Sequence, residues 1–499
     1  MGAKRKERAD QRRREEARQV RQWSVEAFHD RMAEAGVTRA YVASENGEFL
    51  LSHPGLLGPI QSFFELSQDF ARHEGVFIGR EDGFRTLFFA FVHDTRRGLS
   101  QGGLRFRRYG NLAEVLVDGL RLAQGMTRKN ALAGLWWGGG KGILPVTLDL
   151  DGPAYLDRAS PRRAELFRAY GRFVASLGGI YYTAEDIGTN TNDLKAVLSE
   201  NRFTTCIPPG AGGSGNPSAF TAKGVFKGMQ AGWAFLTGSD DLAGVRVAVQ
   251  GAGHVGEPLI RELDDAGAKV WFTDVDEKRV AELVRARPGL VAVPPDRILE
   301  QDVDVVAPCA IGAVVNSETI PKLRCRLVCG AANNILKEPA DAERLRARGI
   351  LFVPDYVANR MGITNCADEW RGYLEEDVWV AAERVYPDTL RVLKHARNLS
   401  TTTTRAADEL ADSAATELHP LLGHRGRRLI DHLVRTGWGG DRPERSRGAV
   451  EPAFRPALDE PPIRNRWERE GLFQGPGPAI AAAPISTATR PNLASFLSP

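Results

Sequence analysis

The sequence predicts an α/β protein built from two layered domains. Three observations carry that expectation. Strand-like patches (AYVAS, FLLS, VFIG, TLFFAFVHD) precede long helical patterns (LAEVLVDGLRLAQGM, RRAELFRAYGRFVASLGG) in the first part of the chain. From VRVAVQGAGHVG onward, strand, loop and helix repeat through VAVQ, KVWFTD, VDVVAPC, RLVCGAAN and ILFVPDY. The pattern then turns helical from about Trp370 to Val434, and a Pro-, Ala-, Gly- and Arg-rich segment begins at Gly439. Strands that alternate with helices pack as sheets covered by helices, and parallel strands need helical crossovers.

Each element has its own reason. Residues 1–40 read as a basic arm, helical or flexible, because the first 22 carry nine basic and four acidic side chains. Its interleaved acids and scarce aromatics make nucleic acid an unexpected partner. TLFFAFVHD is a near-continuous apolar run, as in a strand buried on both faces. GGIYYTAEDIG reads as a short strand, a turn and a helix start at Thr189–Asp193. SGNPS is a loop that leads into a helix from about Thr221 to Phe235. Residues 439–499 hold ten of the 28 prolines and read as a disordered or loosely docked tail.

Bulk properties bound the function. With 499 residues, 42% of them hydrophobic and 26% charged, the chain can bury two or three large cores. A net charge of +3 implies no dominant polyanionic partner. The five cysteines (206, 309, 325, 329 and 366) are scattered and odd in number, which suits a reducing cytoplasm better than a disulfide framework. Cys325 and Cys329 lack a second ligand cluster, so no metal is expected. No apolar run reaches about 18 residues, so no membrane helix is expected. The basic N-terminus lacks the apolar core of a secretory leader.

Two groups of residues carry chemistry. The first is Gly251-Ala-Gly253-His254-Val255-Gly256, between a strand and a helix. Gly251 permits the tight turn, Gly253 lets a pyrophosphate approach the helix N-terminus, and Gly256 lets helix and strand pack closely. The next strand ends in Asp274, where an acid hydrogen-bonds ribose hydroxyls and repels a 2′-phosphate. The expected cofactor is therefore NAD rather than NADP.

The second group spans Gly102 to Gly188. Lys141 lies in Gly138-Gly-Gly-Lys-Gly142, Lys129 ends a helical stretch, and Asp186 sits in an Glu-Asp-Ile-Gly turn. Taken singly, these are a loop lysine, a helix-terminal lysine and a capping acid. Together they supply a cation for a carboxylate, an amine whose pKa falls toward neutrality when desolvated beside another cation, and a proton carrier. That is what reaction at the α-carbon of an amino acid requires. GGGKG is not GxxxxGK[ST], so a nucleoside triphosphate site is set aside.

In order and spacing, GGLRF, GMTRKNA, GGGKG, AEDIGT, SGNPS, GAGHVG, APCAIGAVVN, GAANNILKE and PDYVANRMGITNCADE resemble the glutamate/leucine/phenylalanine/valine dehydrogenase superfamily, the leucine dehydrogenase type most of all. The resemblance runs from about Val76 to Val434. It implies an N-terminal substrate and oligomerisation domain (41–205), a Rossmann domain (206–395) across a cleft, and C-terminal helices (396–438) returning to the first domain. It also implies a homo-oligomer. The implied reaction is reversible, NAD-dependent oxidative deamination of an L-amino acid to a 2-oxo acid and ammonia. Lys129 matches the residue that binds the α-carboxylate, Lys141 the catalytic lysine, and Asp186 the acid/base. Gly102 and Gly103 match a glycine pair lining the substrate. Thr221, Ala310, Asn333 and Asn334 match positions around the nicotinamide and the substrate carboxylate.

Departures from the family pattern bear on the substrate. Gln101 and Cys366 stand where glutamate enzymes carry a lysine and a serine. Without that lysine a side-chain carboxylate would be desolvated unpaired. With Ala184, Thr205 and Ile363, these residues outline a moderately apolar pocket for a leucine- or valine-like side chain. Either Gln101 turns away from that pocket or the substrate has a polar side chain. Arg360 is expected at the surface. The alternatives are a glutamate enzyme in which Arg360 replaces the missing lysine, and a catalytically idle NAD-binding scaffold.

Overall fold

The computed structural model describes residues 2–439 apart from Asn46 and Asp368, and the Pro-rich segment from residue 440 lies outside the described residues. The first sheet contains β1 (Arg39–Glu45), β2 (Glu48–Leu51), β3 (Gly75–Glu81), β4 (Thr86–Asp94), β5 (Ser100–Arg107), β6 (Gly138–Pro145) and β7 (Tyr181–Glu185). Their order is β2-β1-β3-β4-β6-β5-β7. Pairing is antiparallel from β2 through β6 and parallel for β6–β5 and β5–β7.

All nine residues of β4 are buried, as its unbroken apolar run predicts. Strand alternation splits them between two cores. Phe88, Ala90 and Val92 meet Leu166, Phe167, Tyr170 and Phe173 of the helix Pro161–Ser176. Leu87, Phe89 and Phe91 meet Ile60, Phe64, Leu116 and Leu120 on the other face.

The N-terminal arm is helical, one of the two forms expected, but it is docked rather than solvated. It forms helices Gly2–Gln22 and Val25–Glu34, and Ala17, Val20, Phe28 and Met32 are buried in the second of those cores. Ser62 donates a 2.7 Å hydrogen bond to Glu16, and Ser24 caps the second helix through the Ala27 N–H. A narrow apolar stripe suffices to dock a helix, and average composition hides it.

The second sheet contains β8 (Arg246–Gln250), β9 (Lys269–Thr273), β10 (Val291–Ala292), β11 (Val305–Pro308), β12 (Leu327–Val328) and β13 (Leu351–Phe352). All of its strand pairs are parallel, in the order β10-β9-β8-β11-β12-β13. In sequence terms this is the 3-2-1-4-5-6 order of a dinucleotide-binding sheet. Val247, Val249 and Phe272 pack under Val225, Met229, Leu259 and Leu263 of the flanking helices.

The chain then returns to the first sheet. Helix Thr403–Ala415 packs Ala407 and Ala411 against Leu132, and Arg128 bridges Asp408 and Asp412 at 2.8 and 2.9 Å. Helix Arg425–Thr436 adds Ile430 and Leu433 to the core under β4.

Candidate active site

The site begins with a close approach of helix to strand. A Cβ at Gly139 would lie 2.1 Å from Thr127 Oγ1 and 2.3 Å from the Ala123 carbonyl, so only glycine lets the helix Leu112–Leu132 lie on β6. That contact brings Lys129, in the last turn of the helix, near Lys141 on the strand. Gly102 and Gly103 are equally constrained. A Cβ would meet the Gly140 carbonyl at 1.7 Å from the first and Asp186 Cβ at 2.7 Å from the second.

Lys141 is 4% exposed, and its Nζ donates to Asp186 Oδ2 at 2.5 Å. Burial lowers the pKa of this amine, and the Asp186 charge opposes that shift. For Asp186, burial alone would raise the pKa. The charges of Lys141 and Arg105 outweigh it and hold the carboxylate at about 2. The Thr189 hydroxyl closes the turn, with the Asp186 N–H donating to it at 2.8 Å.

Lys129 is half-buried, and burial is the main cause lowering its pKa. Asp355 and Asp186 favour its charged form, and Lys141 disfavours it. Among the described residues no carboxylate lies within 4.0 Å of its ammonium. The structure thus holds one lysine paired and the other open to an anion.

Several site residues were missed in the sequence reading. Arg105 donates to Asp186 Oδ2 at 3.0 Å and to both oxygens of Asp118 at 3.0 and 3.1 Å. Its available signal was the alternation Gln101-Gly103-Arg105, which puts all three on one strand face. Asp355 accepts the Asn334 backbone N–H, and burial raises its pKa. Glu369 gathers the Cys206, Ile207 and Ser214 N–H groups at 3.1, 3.4 and 2.9 Å, which pins the segment between the two sheets. Both acids lie within the quoted motif PDYVANRMGITNCADE, at its second and last positions, but nothing in their residue type or spacing assigns them a partner.

Gln101 and Cys366 meet, with Gln101 Nε2 3.9 Å from the sulfur. Ala184 is buried and pairs with Gly103. Thr205 turns its hydroxyl to the Thr183 carbonyl at 3.4 Å, and Ile363 is half-buried one turn before Cys366. Arg360 requires a correction. It is 3% exposed rather than at the surface, and it donates to the Leu132 carbonyl at 2.9 Å and to Asp388 at 2.5 Å. A guanidinium engaged in this way does not replace a pocket lysine.

The dinucleotide loop fits its expected ligand. Gly251 has φ +96°, and a Cβ there would lie 2.7 Å from Ala310 Cβ. A Cβ at Gly256 would lie 1.9 Å from the Gly251 carbonyl, while the space beside Gly253 is open. His254 is exposed and Val255 half-buried at the helix entrance. Asp274 accepts the Ala252 and Asp276 N–H groups at 2.8 and 2.9 Å. Burial would raise its pKa, but these amides outweigh that and lower it. Thr221 is buried, with its hydroxyl donating to the Pro217 carbonyl at 3.0 Å. Asn333 Oδ1 accepts from Asn359 at 3.0 Å, and Asn334 adopts φ +54° beside it.

Comparison with known proteins identifies the family of the chain. Residues 78–202 match the family model "Glu/Leu/Phe/Val dehydrogenase, dimerisation domain", and residues 271–416 match "Glutamate/Leucine/Phenylalanine/Valine dehydrogenase". The chain is 40% identical to leucine dehydrogenase of Thermoactinomyces intermedius over 333 residues, covering 67% of this chain and 87% of that protein. It is 39% identical to valine dehydrogenase of Streptomyces albus over 349 residues, covering 69% and 93%. The crystal structure of L-tryptophan dehydrogenase from Nostoc punctiforme superposes with a TM-score of 0.61 at 34% identity, covering 69% of this chain and 96% of that one. Two matched domains, and relatives aligned over most of their own length, place the chain in the Glu/Leu/Phe/Val dehydrogenase family, as an amino acid dehydrogenase.

Proposed function

We propose that the protein oxidatively deaminates an L-amino acid of leucine or valine type to its 2-oxo acid and ammonia, reversibly and with NAD. The observation that carries this reading is the unequal lysine pair. Lys141 is bonded to Asp186, and Lys129 stands open beside it. Lys129 receives the substrate α-carboxylate. Asp186, held ionised, accepts a proton from the α-ammonium group. Lys141 polarises the water that adds to the iminium carbon, and Asp186 returns the proton to the departing nitrogen. Gly251, Gly253, Gly256 and Asp274 would hold NAD, which supplies the hydride acceptor when bound. Thr221, Ala310, His254, Val255, Asn333 and Asn334 border that site.

Asp274 favours NAD because its carboxylate repels a 2′-phosphate. The first domain is proposed to assemble as a homo-oligomer, since its family model is described as a dimerisation domain. The cysteines are free thiols, which suits the cytoplasm. Glutamate is disfavoured because Gln101 is neutral and Arg360 is committed to Asp388. An idle scaffold has no use for two desolvated lysines.

The test is reduction of NAD and of NADP across a panel of L-amino acids at alkaline pH. Turnover of leucine or valine with NAD is expected. A folded protein that turns over none of them overturns the reading. Lys141→Ala should lose about 10²–10⁴-fold in kcat while still binding NAD.

A further inference from the structure

We propose that Gln101 makes the side-chain pocket a reader of neutral hydrogen-bond donors. The enzyme then accepts amino acids of valine or leucine size whose side chain carries a hydroxyl or an amide N–H. This rests on the amino acid dehydrogenase reading above and specifies its substrate class.

Gln101 is 1% exposed and directly precedes the Gly102-Gly103 pair on β5. The two ends of its amide have different surroundings. Nε2 faces Cys366 Sγ at 3.9 Å. The Cys366 thiol is itself directed at the carbonyls of Ile363 and Gly362, at 3.5 and 3.7 Å. Its sulfur lone pairs are therefore left to accept, which assigns the amide nitrogen to the sulfur. Oε1 is buried at the other end, and no described residue donates to it. A buried amide oxygen without a donor is a standing cost, and a ligand N–H or O–H removes it.

The Gln101 side chain leaves the sheet on the same face as Lys141. Gln101 pairs with Gly139, two residues before Lys141, and Cys366 is near enough to Lys129 to influence its charge. Charge then selects the donor. A substrate ammonium at this point would be repelled by Lys129 and Lys141, and a carboxylate would gain nothing from an amide oxygen. Hydroxyl and amide side chains remain. Ala184 lies on the same face of the neighbouring strand and Ile363 one turn before Cys366, and both are proposed as apolar wall for the rest of the side chain.

Two isosteric pairs test this: threonine against valine, and asparagine against leucine. The measurement is kcat/KM for all four with the full chain at saturating NAD and one pH, in wild type, Gln101→Leu and Gln101→Met. An apolar pocket disfavours an isosteric hydroxyl by about a hundredfold. The expected result is that, in at least one pair, the preference for the apolar member grows about tenfold or more in both variants. A smaller change in both pairs overturns the proposal. If neither variant folds, the wild-type enzyme decides. A gap under about tenfold in one pair supports the proposal, and a larger gap in both overturns it. Turnover of valine and leucine with unmoved ratios overturns this proposal alone. No NADH from any of the four overturns the dehydrogenase reading, and this proposal with it.

Discussion

Arg105 Nε and Lys141 Nζ donate to the same oxygen, Oδ2 of Asp186, from 3.0 and 2.5 Å. The carboxylate is thus gripped by two cations, and Asp118 anchors the outer one. In the proposed mechanism Arg105 is a positioning residue that acts through Asp186. Asp186, the proposed base, must be ionised to act, and its pKa of about 2 lies below the ordinary carboxylate value of about 3.9. Removing Arg105 raises that pKa, so activity fails at a higher pH as the solution is acidified. In Arg105→Met the acid limb of kcat/KM should move up by about one unit, and Arg105→Lys should restore part of the shift. An equal loss of activity in both variants, with the limb unmoved, would show a merely structural role.

Lys129 should act on binding of the amino acid and not of the cofactor. A hydrogen bond to a charged group contributes about 1.5–3 kcal/mol, so Lys129→Met should raise KM for the amino acid at least about tenfold. The KM for NAD should stay within about twofold. Steady-state kinetics with each substrate varied in turn checks this, and a change confined to NAD contradicts it.

The Arg360–Asp388 pair is expected to hold the fold without touching the substrate. Arg360 is buried but Asp388 only half-buried, so breaking the pair costs less than the about 3–5 kcal/mol of a fully buried one, and Arg360→Met should still lower the denaturation midpoint. KM for leucine or valine should hardly move. Retained stability together with a raised KM would place Arg360 in the pocket after all.

The N-terminal helices should matter to stability. Phe28 and Met32 are each fully buried, and burying such a side chain contributes about 1.5–3 kcal/mol. A chain lacking residues 1–34 should unfold at markedly lower denaturant, measured by circular dichroism. An unchanged midpoint would return the segment to a solvated arm.

Local chemistry was legible in the sequence because it needs particular residue types at adjacent positions. Gly251, Gly253 and Gly256 announce a loop that backbone and ligand must approach, and Asp274 follows at the end of the next strand. The glycines around Lys141 announce a close approach to the backbone, but they read as a loop, and only the structure shows a strand lying bare under a helix. The apolar run of β4 foretold burial on both faces. Tertiary structure alone decided which distant side chains meet. Gln101 and Cys366 are 265 positions apart, and their contact leaves one amide oxygen without a donor. Arg360 is drawn inward by Asp388 and the end of the helix carrying Lys129, although an isolated arginine reads as surface. Ala17 and Val20 dock a helix that composition describes as solvated. Sequence patterns report what the backbone needs over a few residues, while pairing of buried polar groups depends on how sheets and helices converge.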